Sequence, residues 1–83
     1  METADFGWAL RMLKERKKVA RKGWNGKGMW LGLHSIKGSF YREEQPDVEL
    51  SYSDYIFMKT VDNKIVPWLA SQTDMLAEDW EVK

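Results

Sequence analysis

The sequence predicts an α+β fold: one N-terminal helix packed on an antiparallel sheet of four to five strands, with a short helical turn near the C-terminus. Three observations lead there. Near the start, Phe6, Ala9, Leu10 and Leu13 recur at i, i+3, i+4 and i+7, the spacing of one helix face. From Lys18 onward the pattern changes to short apolar runs punctuated by Asn25-Gly26, Asp62-Asn63 and Pro67. The chain has only 83 residues, enough for one domain spanning 1–83 that buries roughly 60% of its extended-chain surface.

The helix is expected from about Ala4 to Arg16, capped by Thr3, with Asp5 in its first turn and Lys14, Arg16, Lys17 and Lys18 near its C-terminal end. Trp8 and Met12, four apart, form a second apolar stripe. A wide core face and a subunit contact account for that stripe equally well. Val19 to Trp24 reads as a strand running into Asn25-Gly26, the strongest short hairpin signal, and Met29 to His34 as its alternating partner. Ser35 to Asp54 is polar and acidic and reads as a long loop or irregular hairpin, with Val48, Leu50 and Tyr52 as a short strand. Tyr55 to Thr60 and Lys64 to Ala70 form a strand pair around Asp62-Asn63. Pro67, which has no N–H to give a ladder, marks the returning strand as an edge. Ser71-Gln72-Thr73-Asp74 has capping-box spacing ahead of Met75-Leu76-Ala77, and Glu78 to Lys83 alternates as a final strand.

Composition narrows the function. With no cysteine there is no disulfide framework and no Cys-based metal or redox site, which fits a reducing cytoplasm. The longest uninterrupted apolar stretch, Ile65 to Ala70, is far shorter than a membrane span of about 20 residues, so no membrane association is expected. Glu2 and Asp5 stand where a secretory leader would be basic. Net charge is zero, but residues 1–34 carry eight basic and three acidic side chains, and residues 35–83 five basic and ten acidic. Such complementary halves suit contact across a subunit interface or a basic face open to phosphates. The plainer reading is a solvated helix end.

Signatures of catalysis are missing. Gly23 and Gly28 have P-loop glycine spacing, but Met29 and Trp30 stand where Lys and Ser/Thr are required. His34 is the one histidine and has no nucleophile motif nearby. Asp74, Glu78 and Asp79 cluster at a predicted turn, where carboxylates more often cap and solvate than exchange protons. The chain offers aromatic rings beside hydrogen-bonding turns instead. Trp24 precedes Asn25-Gly26-Lys27-Gly28, and Trp68 precedes Ser71-Gln72-Thr73-Asp74. A purine stacks on such a ring, an Asn or Gln amide reads its edge, Asp accepts from a ribose diol, and Lys27 or Arg21 adds charge for phosphate. On composition alone, both tryptophans serving the core carries the greater weight.

The strings Lys18-Val19-Ala20-Arg21-Lys22-Gly23-Trp24-Asn25-Gly26-Lys27-Gly28-Met29, Ile56 to Thr60 and Val66-Pro67-Trp68 through Ser71-Gln72-Thr73-Asp74 to Glu78-Asp79-Trp80-Glu81-Val82 closely resemble the Thoeris anti-defence sponge family of the second type. These are small phage and prophage domains long known only as a domain of unknown function. The resemblance covers nearly all of the chain except Ser35 to Asp54. It implies a non-catalytic protein without cofactor or metal, working in the cytoplasm of an infected or lysogenic host. It implies capture of a cyclic ADP-ribose isomer made by Thoeris TIR enzymes, with the ligand held intact. It further implies homotetramers with pockets shared between protomers, and in some members separate sites for cyclic dinucleotides. Carried over by position, Trp24, Asn25, Trp68, Gln72 and Asp74 are expected to line the pocket, with Met29, Lys27, Ser71 and Thr73 as second choices. Asp62-Asn63 stands where relatives often have Asp-Gly, and Met75 where Leu is usual. Three other classes are weighed beside it: a nucleic-acid binder using the basic run Arg11 to Lys27, a weak nucleotide hydrolase using Asp74 or Asp79, and a structural phage accessory protein that only oligomerises.

Overall fold

The computed structural model describes residues 4–24, 28–36 and 38–83. Helix α1 runs Phe6–Lys14, two residues shorter at each end than its periodicity predicts. Its cap is Asp5 rather than Thr3, which lies outside the described residues. The Asp5 carboxylate accepts the Trp8 N–H at 2.8 Å and so satisfies one of the orphan donors of the first turn. At the other end Arg16 takes a left-handed conformation, φ 68°. The Lys17 N–H then donates to the Met12 carbonyl at 3.0 Å and the Arg16 N–H to Leu13 at 2.9 Å. This is a Schellman closure made without the usual glycine.

Strand β1 (Val19–Arg21) ends three residues earlier than expected. Lys22–Trp24 turn instead into a 3-10 segment, because the Lys22 N–H donates to the Asp79 carbonyl at 3.0 Å and the Gly23 N–H to the Asp79 carboxylate at 2.9 Å. The expected Asn25-Gly26 turn lies outside the described residues, but β1 and β2 (Trp30–His34) pair antiparallel with Val19 opposite Leu31. The acidic middle segment is an irregular hairpin: β3 (Ser39–Arg42) and β4 (Gln45–Ser51) form a separate two-stranded sheet, with a register shift between Phe40 and Arg42. Strand β5 (Tyr55–Lys59) pairs with β2 along its whole length. The Asp62-Asn63 turn closes with Asn63 at φ 65°, and the Thr60 hydroxyl accepts the Lys64 N–H at 2.9 Å. Strand β6 (Ile65–Pro67) is an edge strand and ends at the proline, so it is shorter than the Lys64 to Ala70 expected. Helix α2 (Gln72–Leu76) and strand β7 (Trp80–Val82) complete the chain.

The main sheet has the order β6-β5-β2-β1-β7, with every pairing antiparallel, and α1 lies on one face of it. Alternation sends Val19, Leu31 and Trp80 toward α1, where they meet Ala9 and Leu13 in the core. Trp8 and Met12 are half-buried and pack against this same core, so the second stripe of α1 widens the core face. Among the described residues no helix covers the opposite sheet face. That face carries a run of rings: Trp30 with Phe57 at 5.8 Å, His34 with Phe57 at 6.4 Å, and His34 stacked on Tyr55 at 4.7 Å.

Candidate functional site

The two tryptophan-bearing strings, whose Trp24 and Trp68 stand 44 positions apart in sequence, converge at the β1–β7 edge of the sheet. Alternation places Arg21 on the same face as buried Val19, and a guanidinium on that face requires acidic partners. It finds two. Its Nε donates to Asp79 and its Nη1 to Asp74, each at 2.9 Å. Asp79 also accepts the Gly23 N–H, and so ties the turn before Trp24 to the start of β7. Asp74 meanwhile closes the capping box of α2: the Ser71 hydroxyl accepts the Asp74 N–H at 3.1 Å, and the Asp74 carboxylate accepts from the Ser71 N–H and hydroxyl.

Electrostatics follow from that geometry. Burial pushes both carboxyls up, but the hydrogen bonds from Ser71 and Arg21 to Asp74, and from Arg21 and the Gly23 N–H to Asp79, outweigh it and hold both below the ordinary value of 3.8. The hydrogen bonds to Asp79 and then Asp74 raise the Arg21 guanidinium in turn. Three ionised groups are therefore locked together.

Beneath the clamp sits a cluster of rings. Trp80, almost fully buried, meets Trp24 edge-on at 5.5 Å, Trp68 edge-on at 6.1 Å and Phe6 at 5.6 Å, and its indole N–H donates to the Asp74 carbonyl at 3.2 Å. Trp24 and Trp68 are half-buried: each packs against the core and keeps part of its surface open. Both uses weighed for these tryptophans thus have room in one geometry.

Of the expected pocket residues, Trp24, Trp68 and Asp74 are brought together around Trp80 and Arg21. Ser71, Gln72 and Thr73 lie exposed at the start of α2, with Ser71 serving as its cap. Met29 is half-buried just ahead of β2. Asn25 and Lys27 lie outside the described residues. Two hollows open elsewhere. One, of about 370 Å³, is lined by Leu10, Leu13, Lys14, Arg16, Leu33, Asp54 and Ile56. The other, of about 220 Å³, lies among Arg16, Lys17, Lys18, Trp30, Gly32, Leu33 and Phe57.

Two features escaped the sequence reading. Arg21 was weighed only as a charge for phosphate, although an arginine two residues after a core valine in a strand is itself a signal for a half-buried ion pair. The aromatic outer face was also missed. The alternation Trp30, Gly32, His34 opposite Tyr55, Phe57, Lys59 carried it, but only once the pairing of β2 with β5 was known. There Lys18 Nζ sits 4.6 Å from the center of the Trp30 ring, a cation–π contact.

Over residues 4–83 the chain matches the Thoeris anti-defense 2-like domain family, and it belongs to that family. It is similar to Thoeris anti-defense 2 of Bacillus phage SP01, with 46% identity over 81 residues that cover 93% of this chain and 91% of that protein.

Proposed function

We propose that this protein is a phage anti-Thoeris protein acting as a non-catalytic sponge, which holds a cyclic ADP-ribose isomer intact and keeps it from its effector. The observation that carries the reading is identity of 46% over nearly the full length of both chains with a protein named for Thoeris anti-defense. The local geometry supports binding over chemistry. Asp74 and Asp79, the carboxylates weighed for hydrolysis, are engaged by Arg21 and by backbone N–H groups. In this proposal Trp24 and Trp68 supply ring faces, while Asn25 and Gln72 read polar edges. Asp74 holds the α2 turn in place and presents its remaining acceptor capacity, with Met29, Lys27, Ser71 and Thr73 around them. The working form is a homo-oligomer in the host cytoplasm, with pockets shared between copies, and cyclic dinucleotides are candidates for a separate site.

The test is to mix purified protein with the nucleotide extract of an activated Thoeris TIR enzyme, wash by ultrafiltration, denature by heat and analyse what is released. Release of the intact cyclic ADP-ribose isomer is expected. A cleaved product means an enzyme, and an empty filtrate sinks the reading. Gln72→Ala and Thr73→Ala are the discriminating variants, because both side chains are exposed and removing them leaves the Arg21 clamp in place. Trp24→Ala tests the ring.

A second reading, binding of single-stranded nucleic acid, is favoured by Arg16, Lys17 and Lys18 beside Trp30 and Phe57 around the smaller hollow. Its mark is affinity for an oligonucleotide that falls steeply with salt. Affinity indifferent to ionic strength discards it.

A further inference from the structure

The β3–β4 hairpin is the part of the molecule that its own fold explains least. A lone two-stranded hairpin is marginal in water and needs a further strand or a packed face. This one forms a sheet of its own, and within residues 39–51 only Phe40 and Leu50 are half-buried, the others being exposed. Tyr41 is 61% exposed and Val48 43%. The hairpin is also acidic, with Glu43, Glu44, Asp47 and Glu49 against Arg42, which pairs with Glu44 at 2.9 Å. At about 3.3 Å per residue β4 spans roughly 23 Å. The molecule measures 52 × 26 × 22 Å, so the hairpin is an arm and not part of the body.

The body carries a surface of matching character. The hollow of about 370 Å³ between α1 and strands β2 and β5 has an apolar floor of Leu10, Leu13, Leu33 and Ile56. Lys14 and Arg16 form its basic rim, and Asp54 is the acidic group in the lining. An exposed apolar and acidic arm and an apolar hollow with a basic rim are complementary, and both are present on every copy.

We propose that the β3–β4 arm of one copy seats on the Lys14–Arg16 rim of this hollow in a second copy, turning arm side chains such as Tyr41 or Val48 toward the apolar floor. The inference rests on the homo-oligomer part of the proposed function and is independent of which nucleotide is held. Rim charges steer the approach, and the apolar contact holds the arm in place.

The experiment is sedimentation equilibrium on the full chain without nucleotide, with circular dichroism to verify the fold of every variant. One variant reverses the arm (Glu43→Lys with Asp47→Lys) and another reverses the rim (Lys14→Glu with Arg16→Glu). The unaltered chain is expected to self-associate. Each reversed variant alone should show a dissociation constant raised by roughly 100-fold, since like charges then face each other. An equimolar mixture of the two should re-associate, because both arm–rim contacts are complementary again in the mixed assembly. Assembly that ignores both reversals, or reversed variants that stay apart when mixed, overturns the arm assignment and leaves nucleotide capture untouched. A monomer in the unaltered chain overturns it as well and removes the oligomer from the proposed function. A hollow that instead retains an anionic nucleotide in the monomer gives that surface to a small ligand and likewise overturns the proposal.

Discussion

Arg21 shows how much one side chain carries here. Its guanidinium is the meeting point of β1, the turn before Trp24, the α2 cap and the start of β7. Arg21→Gln leaves two partly buried carboxylates without their counter-charge, a loss of about 2–3 kcal/mol at neutral pH. The clamp also sets an acid limit. Asp74 and Asp79 are held below their ordinary value of 3.8 by the fold, so their contribution is full above that value and is lost as pH falls through the lower folded values. Thermal unfolding followed from pH 7 to pH 2.5 should show a drop concentrated below about pH 4. In Arg21→Gln that drop should shrink, and an equal drop in both proteins contradicts the assignment. Gly32 is a second single position with a sharp role. A Cβ there would lie 2.6 Å from Phe57 Cζ and 3.2 Å from Trp30 Cζ3. Gly32→Ala must therefore displace the rings of the outer face, at about 1–3 kcal/mol in urea unfolding. Tryptophan emission should change with it, because Trp30 is one of the rings moved.

Among the elements, α1 and α2 contrast in what ends them. Helix α2 is only Gln72–Leu76, too short to persist alone, and it depends on the Ser71–Asp74 box together with the tie from Asp74 to Arg21. Helix α1 has its own amphipathic face and a sharp stop, but that stop places an arginine in a conformation that favours glycine. Arg16→Gly is therefore expected to stabilise the chain by up to about 1 kcal/mol in chemical denaturation. The same change removes a rim charge, so stability and self-association should move in opposite directions. The elements themselves were largely legible in the residues: α1 by its 3.6 period, the Tyr55–Lys59 and Ile65–Pro67 pair by Asp62-Asn63 and Pro67, and α2 by its capping box. The early end of β1 was not legible. It comes from hydrogen bonds to Asp79, a residue 56 positions from Gly23, and no local pattern encodes them.

For the molecule as a whole, the proposed sponge function makes a thermodynamic demand that can be measured directly. A ligand that binds the native state alone stabilises it by about 2.7 kcal/mol at a free concentration 100 times its dissociation constant. The melting temperature should therefore climb with added cyclic ADP-ribose isomer and keep climbing as its concentration rises. A Gln72→Ala variant should show a smaller climb from an unchanged ligand-free melting temperature. Equal shifts in both proteins would remove Gln72 from the proposed pocket. The arm adds a second demand, since an assembly of acidic arms on basic rims weakens as salt rises.

The linear order of residues was sufficient for the fold class, the element order and the two motif strings, because each rests on interactions within a few positions: helical period, turn chemistry, capping boxes. It was also sufficient to recognise the family, through strings whose residues are contiguous. Three things needed the folded chain. β7 pairs with β1, which brings Asp79 and Trp80 beside Arg21 and Trp24. Trp24 and Trp68 serve the core and remain half-open at once. The acidic segment stands out from the body as a hairpin instead of folding over it. Each depends on contacts between residues far apart in sequence, and the free energy of such contacts is set by which surfaces meet, a quantity that no local spacing contains.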